Sequence, residues 1–357
     1  MAPEPRVEPR PELRALAPAV HGGDAPDGVL DFSTGVSPFA PPPSILRAAR
    51  EADLSRYPHP TARPLRERIA AVLDGARGAD QVVAGAGSVE LIWALARAFG
   101  GPGRRVLVLG PTFGEYAQAA RASGAEWLEL RAPAPFAGAS SIDRDAALAA
   151  LRASPSLAFV CRPSNPCLSS APLALIDDLA RASPSTLWVI DEAYLPMFDD
   201  VAPVSELGPR ENVASLRSFT KLFALPGLRL GCLLAGAPIA RAVQASLPPW
   251  NVSAPAIAAG LAALDEWSVL PALRRELARL RRALAARLAP FGAPLDGEGG
   301  PFLLYRVGDA PTFSRCILSL GCRVRDASSF GLPEHVRVGV RSEADQEMLA
   351  RAWSKAS

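Results

Sequence analysis

Lysine is nearly absent from this chain. Of 38 Lys and Arg residues only Lys221 and Lys355 are lysines, and Lys355 stands almost at the end of the sequence. The five cysteines, at 161, 167, 232, 316 and 322, are odd in number and form no CxxC or His-paired spacing. That pattern argues against a metal site, and the thiols read as buried small hydrophobes. A net charge of +2 spread over scattered arginines gives no electrostatic reason to expect nucleic acid or an anionic membrane as partner. No Lys/Arg-rich run with interleaved aromatics exists. No stretch approaches the roughly 20 uninterrupted apolar residues of a membrane span, and the opening MAPEPRVEPRPELRALAP lacks the apolar centre of a signal peptide. The cytoplasm is therefore the expected location. Neither a P-loop nor a dinucleotide GxGxxG is present.

What is present is the composition of a folded protein: 357 residues, 49% hydrophobic, a length that suits about two domains. Residues 1–20, rich in Pro, Arg and Glu without periodicity, read as a loosely ordered arm. From about 80 to 235, short apolar runs alternate with helical patterns: QVVAGAG, RRVLVLG, LAFVC, LWVID, VASLRSF and LGCLLAG. Runs without polar alternation suit strands buried on both faces, so an α/β architecture with a mainly parallel sheet between helices is expected. Residues 256–290 have helical composition throughout, with Arg on a solvated face. Beyond them PFLLYRV, CRVRD and HVRVGV read as strands, and SEADQEMLARAW as a Ser-capped helix. The expected division is an arm at 1–20, a segment at 21–55 joining the small domain, a large domain at 56–265, and a linking helix with a small α+β domain at 266–357.

Three stretches carry chemistry. In VVAGAGSVELIWALARAF a strand ends in Gly85 and Gly87 and a helix starts at Ser88, leaving backbone N–H groups and a positive dipole end that suit a phosphate; Gly-rich turns of this kind are also common without a ligand. In LWVIDEAY four apolar residues deliver Asp191 to the end of a central strand, where open α/β sheets place their ligands. A carboxylate there needs a cationic partner, such as a protonated heteroaromatic nitrogen, with Tyr194 adding a hydroxyl nearby; a strand-end Asp equally serves as metal ligand or helix cap. In SFTKLFALPGLRLG, Lys221 lies among Phe219, Leu222 and Phe223. An amine in apolar surroundings loses its proton more readily and becomes nucleophilic toward a carbonyl, which Arg cannot do. Ser218, Thr220 and Arg229 would form a second phosphate cradle beside it. In this order the three stretches describe a site for an aldehyde-bearing phosphorylated pyridine, pyridoxal 5′-phosphate.

From about residue 21 onward the chain resembles the fold-type I pyridoxal-phosphate enzymes of the class I/II aminotransferase superfamily, whose Schiff-base lysine lies in a Ser-x-Ser/Thr-Lys segment followed by Gly-Leu-Arg-x-Gly. The resemblance implies that Lys221 is the imine-forming lysine. It also implies that Ser218, Thr220 and Arg229 hold the cofactor phosphate with the backbone of Gly87, Ser88 and Val89. Asp191 would pair with the pyridine nitrogen, and Tyr194 would reach the phenolic oxygen. PSNPCL at 163–168 is similar to the family's Asn-Pro-Thr-Gly segment, which implies Asn165 as a second ligand of that oxygen, although Cys167-Leu168 replace Thr-Gly. GPTFGEY implies Phe113 as the aromatic stacked on the cofactor ring. RYPHP implies that Tyr57 reaches the cofactor phosphate of a neighbouring subunit, hence a homodimer with shared sites.

Within the superfamily, HGGDAPDGVLDFSTGVSP, PPWNVSAPA and RVRDASSFGLPEHVRVGVRSE look most like the threonine-phosphate decarboxylases of cobalamin biosynthesis. That likeness implies His21, Arg325 and Arg337 as substrate-binding residues, although the Asn often found in the first of these segments is here Gly35 or Ser37. The expected reaction is decarboxylation of L-threonine O-3-phosphate to aminopropanol phosphate. The alternative is amino transfer, as in the histidinol-phosphate aminotransferases, which share the RYP, Lys and C-terminal Arg segments. A non-catalytic protein keeping the fold is a third reading, against which Lys221, Asp191 and Arg229 all count.

Overall fold

The computed structural model describes residues 7–14, 16–73, 78–132, 142–295 and 299–356; residues 1–6 and 15 of the expected arm lie outside them. Its strands are β1 (Leu30–Asp31), β2 (Val82–Gly85), β3 (Arg105–Gly110), β4 (Glu126–Arg131), β5 (Leu157–Cys161), β6 (Leu187–Asp191), β7 (Val213–Ser218), β8 (Gly231–Leu234), β9 (Phe302–Arg306), β10 (Cys322–Arg323), β11 (Arg325–Asp326) and β12 (His335–Gly339).

Every residue of β5, β6 and β7 is buried, because helices cover both faces of the sheet. Alternate side chains feed two separate cores: Val106, Val108 and Phe159 on one face, Leu107, Leu109 and Ala158 on the other. Seven strands are ordered β2-β8-β7-β6-β5-β3-β4. The pairs from β7 through to β4 are parallel, and β8 runs antiparallel to both of its neighbours. The carboxyl ends of β5, β6 and β7 thereby come level, with Cys161 opposite Asp191 and Asp191 opposite Leu216.

Three elements differ from expectation. Strand β4, EWLELR, carries no uninterrupted apolar run because it lies at the sheet edge, where its central residues are only partly buried and its ends, Glu126 and Arg131, are exposed. The helical stretch from 256 breaks into Ala254–Asp265 and Leu270–Leu288, bent by 54° around a short 3-10 turn at Trp267–Val269. The CRVRD run divides into β10 and β11, which join different sheets: β10 pairs with β1, and β11 with β12. No single helix among the described residues is long and apolar enough to cross a membrane.

The C-terminal unit packs the antiparallel sheet β11-β12-β9 against helices Ala310–Ser319 and Glu343–Ala356, the latter capped by Ser342 Oγ accepting from Asp345 N at 3.2 Å. Residues 30–32 are stitched to it: Phe32 N donates to Arg323 O at 2.7 Å, and Gly339 N to Phe32 O at 2.7 Å. Within the arm, Ala17 O accepts from Gln118 Nε2 at 2.8 Å.

Candidate active site

A cavity of about 1010 Å³ opens between the strand ends and the N-terminal segment. His21, Ser88, Val89, Phe113, Asn165, Asp191, Tyr194, Thr220, Lys221, Arg229, Arg325 and Arg337 all line it. Sequence positions more than 300 apart therefore meet in one place.

Asp191 ends β6 and is 3% exposed. Tyr116 Oη donates to its Oδ2 at 2.7 Å, and Ala193 N donates to Oδ1 at 3.0 Å. Burial raises its pKa to about 6; these donors and the nearby Lys221 oppose that rise without cancelling it. Tyr116 is fully buried, stacked on Phe159 with ring centroids 4.8 Å apart.

Lys221 follows the end of β7, and its neighbours Phe219, Leu222 and Phe223 are buried in the core, which pins the backbone. Its ammonium lies 5.9 Å from the Tyr194 ring centroid. Burial first, then the positive charges of Arg337 and Arg229, lower its pKa to about 8, against the attraction of Asp191. The side chain itself is half-buried and faces the cavity.

The end of the cavity bounded by Ser88 and Arg229 is built by close backbone approach. Gly87 has φ +83° and precedes helix Ser88–Phe99, which has no capping side chain. A Cβ on Gly231 would stand 2.6 Å from Ser88 N, and one on Gly87 would stand 2.5 Å from the Arg229 guanidinium. Only glycine at both positions lets β8, the helix start and Arg229 converge. Ser218 Oγ and Thr220 Oγ1 are 2.7 Å apart on the neighbouring strand end. Asn251, from PPWNVSAPA, braces this turn by donating to Ala84 O at 3.1 Å and to Glu90 at 2.7 Å.

At the opposite end, Arg337 is 5% exposed, donates to Asn165 Oδ1 and to Ser33 O, and lies over the Phe302 ring. Its Nε is buried and has no hydrogen-bond partner among the described residues. Arg325 donates to Val20 O at 2.8 Å and to Ser329 Oγ at 2.6 Å, and burial lowers its pKa to about 10. Tyr194 packs edge-on against Phe302, and burial lifts its phenol to about 12. Gly35 lies against it: a Cβ there would meet the Tyr194 hydroxyl at 2.9 Å and Phe302 at 2.8 Å, so a longer side chain is excluded by the aromatic pair.

These surroundings fit pyridoxal phosphate. Two groups of donors at one end suit its dianionic phosphate, a lowered amine suits its aldehyde, and a buried carboxylate that makes no Arg or Lys ion pair among the described residues suits a protonated ring nitrogen. The turn after Asn165 survives the loss of Thr-Gly because Leu168 takes φ +54° itself, while its side chain is 4% exposed beside Phe198 and Gly300.

Tyr57 does not join the site within one chain. It is 82% exposed and stacks on Trp250, ring centroids 4.8 Å apart, outside the cavity lining. Two residues that sequence reading passed over are brought in. Tyr116 touches Asp191, and Glu115 bridges His21 and Trp93 at 2.8 and 2.7 Å. Both lie within GPTFGEY, where only the helical spacing from Phe113 hinted that Tyr116 could face the same space.

Residues 27–355 match the family model described as aminotransferase class I and II. A histidinol-phosphate aminotransferase of Thermobifida fusca is 32% identical, over 96% of this chain and 94% of its own. The structure of a histidinol-phosphate aminotransferase from Sinorhizobium meliloti in complex with pyridoxal-5′-phosphate superposes with a TM-score of 0.80 at 25% identity, over 92% of this chain and 90% of that one. L-threonine-O-3-phosphate decarboxylase from Porphyromonas gingivalis shares the fold at a TM-score of 0.75 and 24% identity, over 92% of this chain and 99% of that one.

Proposed function

Because the chain belongs to the aminotransferase class I and II family and is a pyridoxal-phosphate enzyme, we propose that it transfers the amino group of a small phosphorylated amine, of the histidinol-phosphate kind, to an oxo acid such as 2-oxoglutarate. The observation that carries this reading is the full-length similarity, at 32% identity, to relatives named histidinol-phosphate aminotransferase. It reverses the order expected from the motifs alone, which put decarboxylation of threonine phosphate first. That second reading keeps one specific support: His21, from the HGG segment, lies on the cavity wall 5.6 Å from the Phe113 ring.

Bound in the cavity, the cofactor supplies an aldehyde that condenses with amines and a ring that accepts the electrons released at the substrate's Cα. The rest is done by the chain. Lys221, with a pKa of about 8, is unprotonated in a useful fraction near neutral pH, as a nucleophile and proton carrier must be. Asp191, with a pKa of about 6, is mostly ionised at pH 7 and holds a proton on the ring nitrogen. Thr220, Ser218, Arg229 and the Gly87–Val89 backbone take the cofactor phosphate, Asn165 and Tyr194 the ring hydroxyl, and Phe113 one ring face. Arg325 and Arg337 would take the anionic groups of substrate and oxo acid and so fix how the substrate's Cα is presented. Tyr57, exposed with Trp250, is assigned to the site of a second subunit in a homodimer, and the enzyme to the cytoplasm.

A paired assay tests the reaction. Histidinol phosphate with 2-oxoglutarate is expected to yield glutamate, and threonine phosphate is expected to release no carbon dioxide. Carbon dioxide without glutamate would replace amino transfer by decarboxylation.

A further inference from the structure

Glu115 is a carboxylate 6% exposed on the wall of the cavity, in the first turn of helix Glu115–Ser123. Such a group needs compensation for lost hydration. Among the described residues its side-chain partners are His21, whose Nε2 lies 2.8 Å from Oε1, and Trp93, whose Nε1–H donates to Oε2 at 2.7 Å. Burial alone would push this carboxyl up, but the hydrogen bonds from His21 and Trp93 and the charge of His21 hold it below the usual range. Both oxygens are thus engaged, so Glu115 is arranged to hold a neighbour and not to receive a ligand itself.

The neighbour it holds is placed for one. His21 lines the cavity with about half its side chain exposed, and once Nε2 is bonded to Glu115 the ring's second nitrogen, Nδ1, is left for another partner. Val20, the preceding residue, accepts from Arg325 through its carbonyl. The following residues are clamped on Ser33: Gly22 packs so closely that a Cβ would stand 2.6 Å from Ser33 O, and Gly23, at φ +95°, donates to Ser33 Oγ at 2.9 Å. Ser33 O in turn accepts from Arg337. The His-Gly-Gly turn is therefore tied on one side to Arg325 and on the other to Arg337, with its imidazole braced from behind by a buried acid.

Resting on the reading that the substrate carries a phosphate, we infer that Glu115, itself fixed by Trp93, is a positioning residue that orients His21 as a third donor, with Arg325 and Arg337, for that phosphate. With both ring nitrogens protonated, His21 donates Nε2–H to Glu115 and Nδ1–H to an anion; without Glu115 the hydrogen bond that aims the ring is lost. The prediction is one of discrimination: the dyad favours a phosphorylated substrate over its dephosphorylated parent, whichever bond at Cα is then broken.

The test uses the cofactor-loaded enzyme and calorimetric dissociation constants for two pairs, histidinol phosphate with histidinol and O-phospho-L-threonine with L-threonine. The wild type is expected to favour the phosphorylated member of at least one pair. Glu115→Gln and His21→Gln should each lower that preference about tenfold, and the double variant should lower it no further, since the two side chains act as one unit. Trp93→Phe should give a smaller loss. Melting temperature and the cofactor's visible absorbance report on the fold; should Glu115→Gln not fold, Trp93→Phe carries the test, and an undiminished preference there overturns the inference. A wild-type preference retained in full by Glu115→Gln rejects the dyad while leaving the phosphorylated substrate standing. A wild type without any preference removes the phosphorylated substrate and the inference with it.

Discussion

Tyr116 Oη donates a 2.7 Å hydrogen bond to Asp191 Oδ2, although the two residues are 75 positions apart and come from different layers of the fold. Phe159 holds the phenol ring flat from behind, so the donor cannot turn away. Asp191 is consequently kept as a hydrogen-bonded carboxylate in a place where burial favours its neutral form.

Tyr116→Phe should therefore raise the pKa of Asp191 beyond about 6, because the donor removed is one that lowers it. On the proposed pairing of Asp191 with the ring nitrogen, cofactor affinity follows the ionised carboxylate and should weaken more at pH 6 than at pH 8. Fluorescence titration of the cofactor-free enzyme with pyridoxal phosphate checks this; equal affinity at both pH values, unchanged from wild type, would remove Tyr116 from the site.

Lys221 and Asp191 both carry pKa shifts that destabilise the empty site. Lys221 is lowered from 10.5 to about 8, so its cost is present in full below pH 8 and fades as pH rises toward 10.5, where the unfolded amine also loses its proton. Asp191 is raised from 3.8 to about 6, so its cost is present above pH 6 and fades as pH falls toward 3.8. Lys221→Met should accordingly stabilise the cofactor-free protein at pH 7 by about 1–3 kcal/mol and leave little difference above pH 10.5. Urea unfolding of both proteins across that range measures it. The rate at which cofactor-free wild type regains its visible absorbance should rise with pH through about 8.

Gly231→Ala should expel cofactor without touching a reacting group. The new methyl would meet the backbone of Ser88, Arg217 and Gly87 at 2.6 to 2.9 Å, and backbone cannot step aside as a side chain can. Dialysis should strip cofactor from this variant at least tenfold faster than from wild type. Equal retention would show that the β8 crossing does not shape the phosphate end.

Glu192, next to Asp191, is fully buried and receives Ser215 Oγ, Val204 N and the Arg217 guanidinium at 2.5, 2.7 and 3.0 Å, with Arg162 at 3.7 Å. Arg162 also donates to Ala171 O at 2.7 Å, so this cluster ties the loop bearing Asn165 to the strand bearing Asp191. Glu192→Ala leaves two arginines without their acid and should cost about 3–5 kcal/mol of stability. Glu192→Gln, which keeps the shape and part of the hydrogen bonding, should cost less. Chemical denaturation separates the two, and equal small losses would show that the cluster is not a support of the loop.

The placement of Lys221 and Asp191 on one cavity was legible in the residues. Lys221 stood out as the one interior lysine of a chain that otherwise uses Arg, and Asp191 because four apolar residues carry it to a strand end. The buried runs of β5, β6 and β7 followed from apolar continuity, whereas edge strand β4 escaped because Glu126, Glu129 and Arg131 interrupt its apolar run. Contacts between distant segments were decided only by the tertiary structure. Tyr116 meets Asp191 because helix Glu115–Ser123 packs against β3 and β4 and lays the Tyr116 ring on Phe159 of β5, and Glu115 meets His21 because the N-terminal segment lines the same cavity. Tyr57 faces outward because its shelf beside Trp250 lies on the surface of the single chain. Side-chain type sets what a group can do, and a linear sequence records it directly; which groups stand within about 3 Å of each other depends on how separate elements pack, and no local pattern encodes that distance.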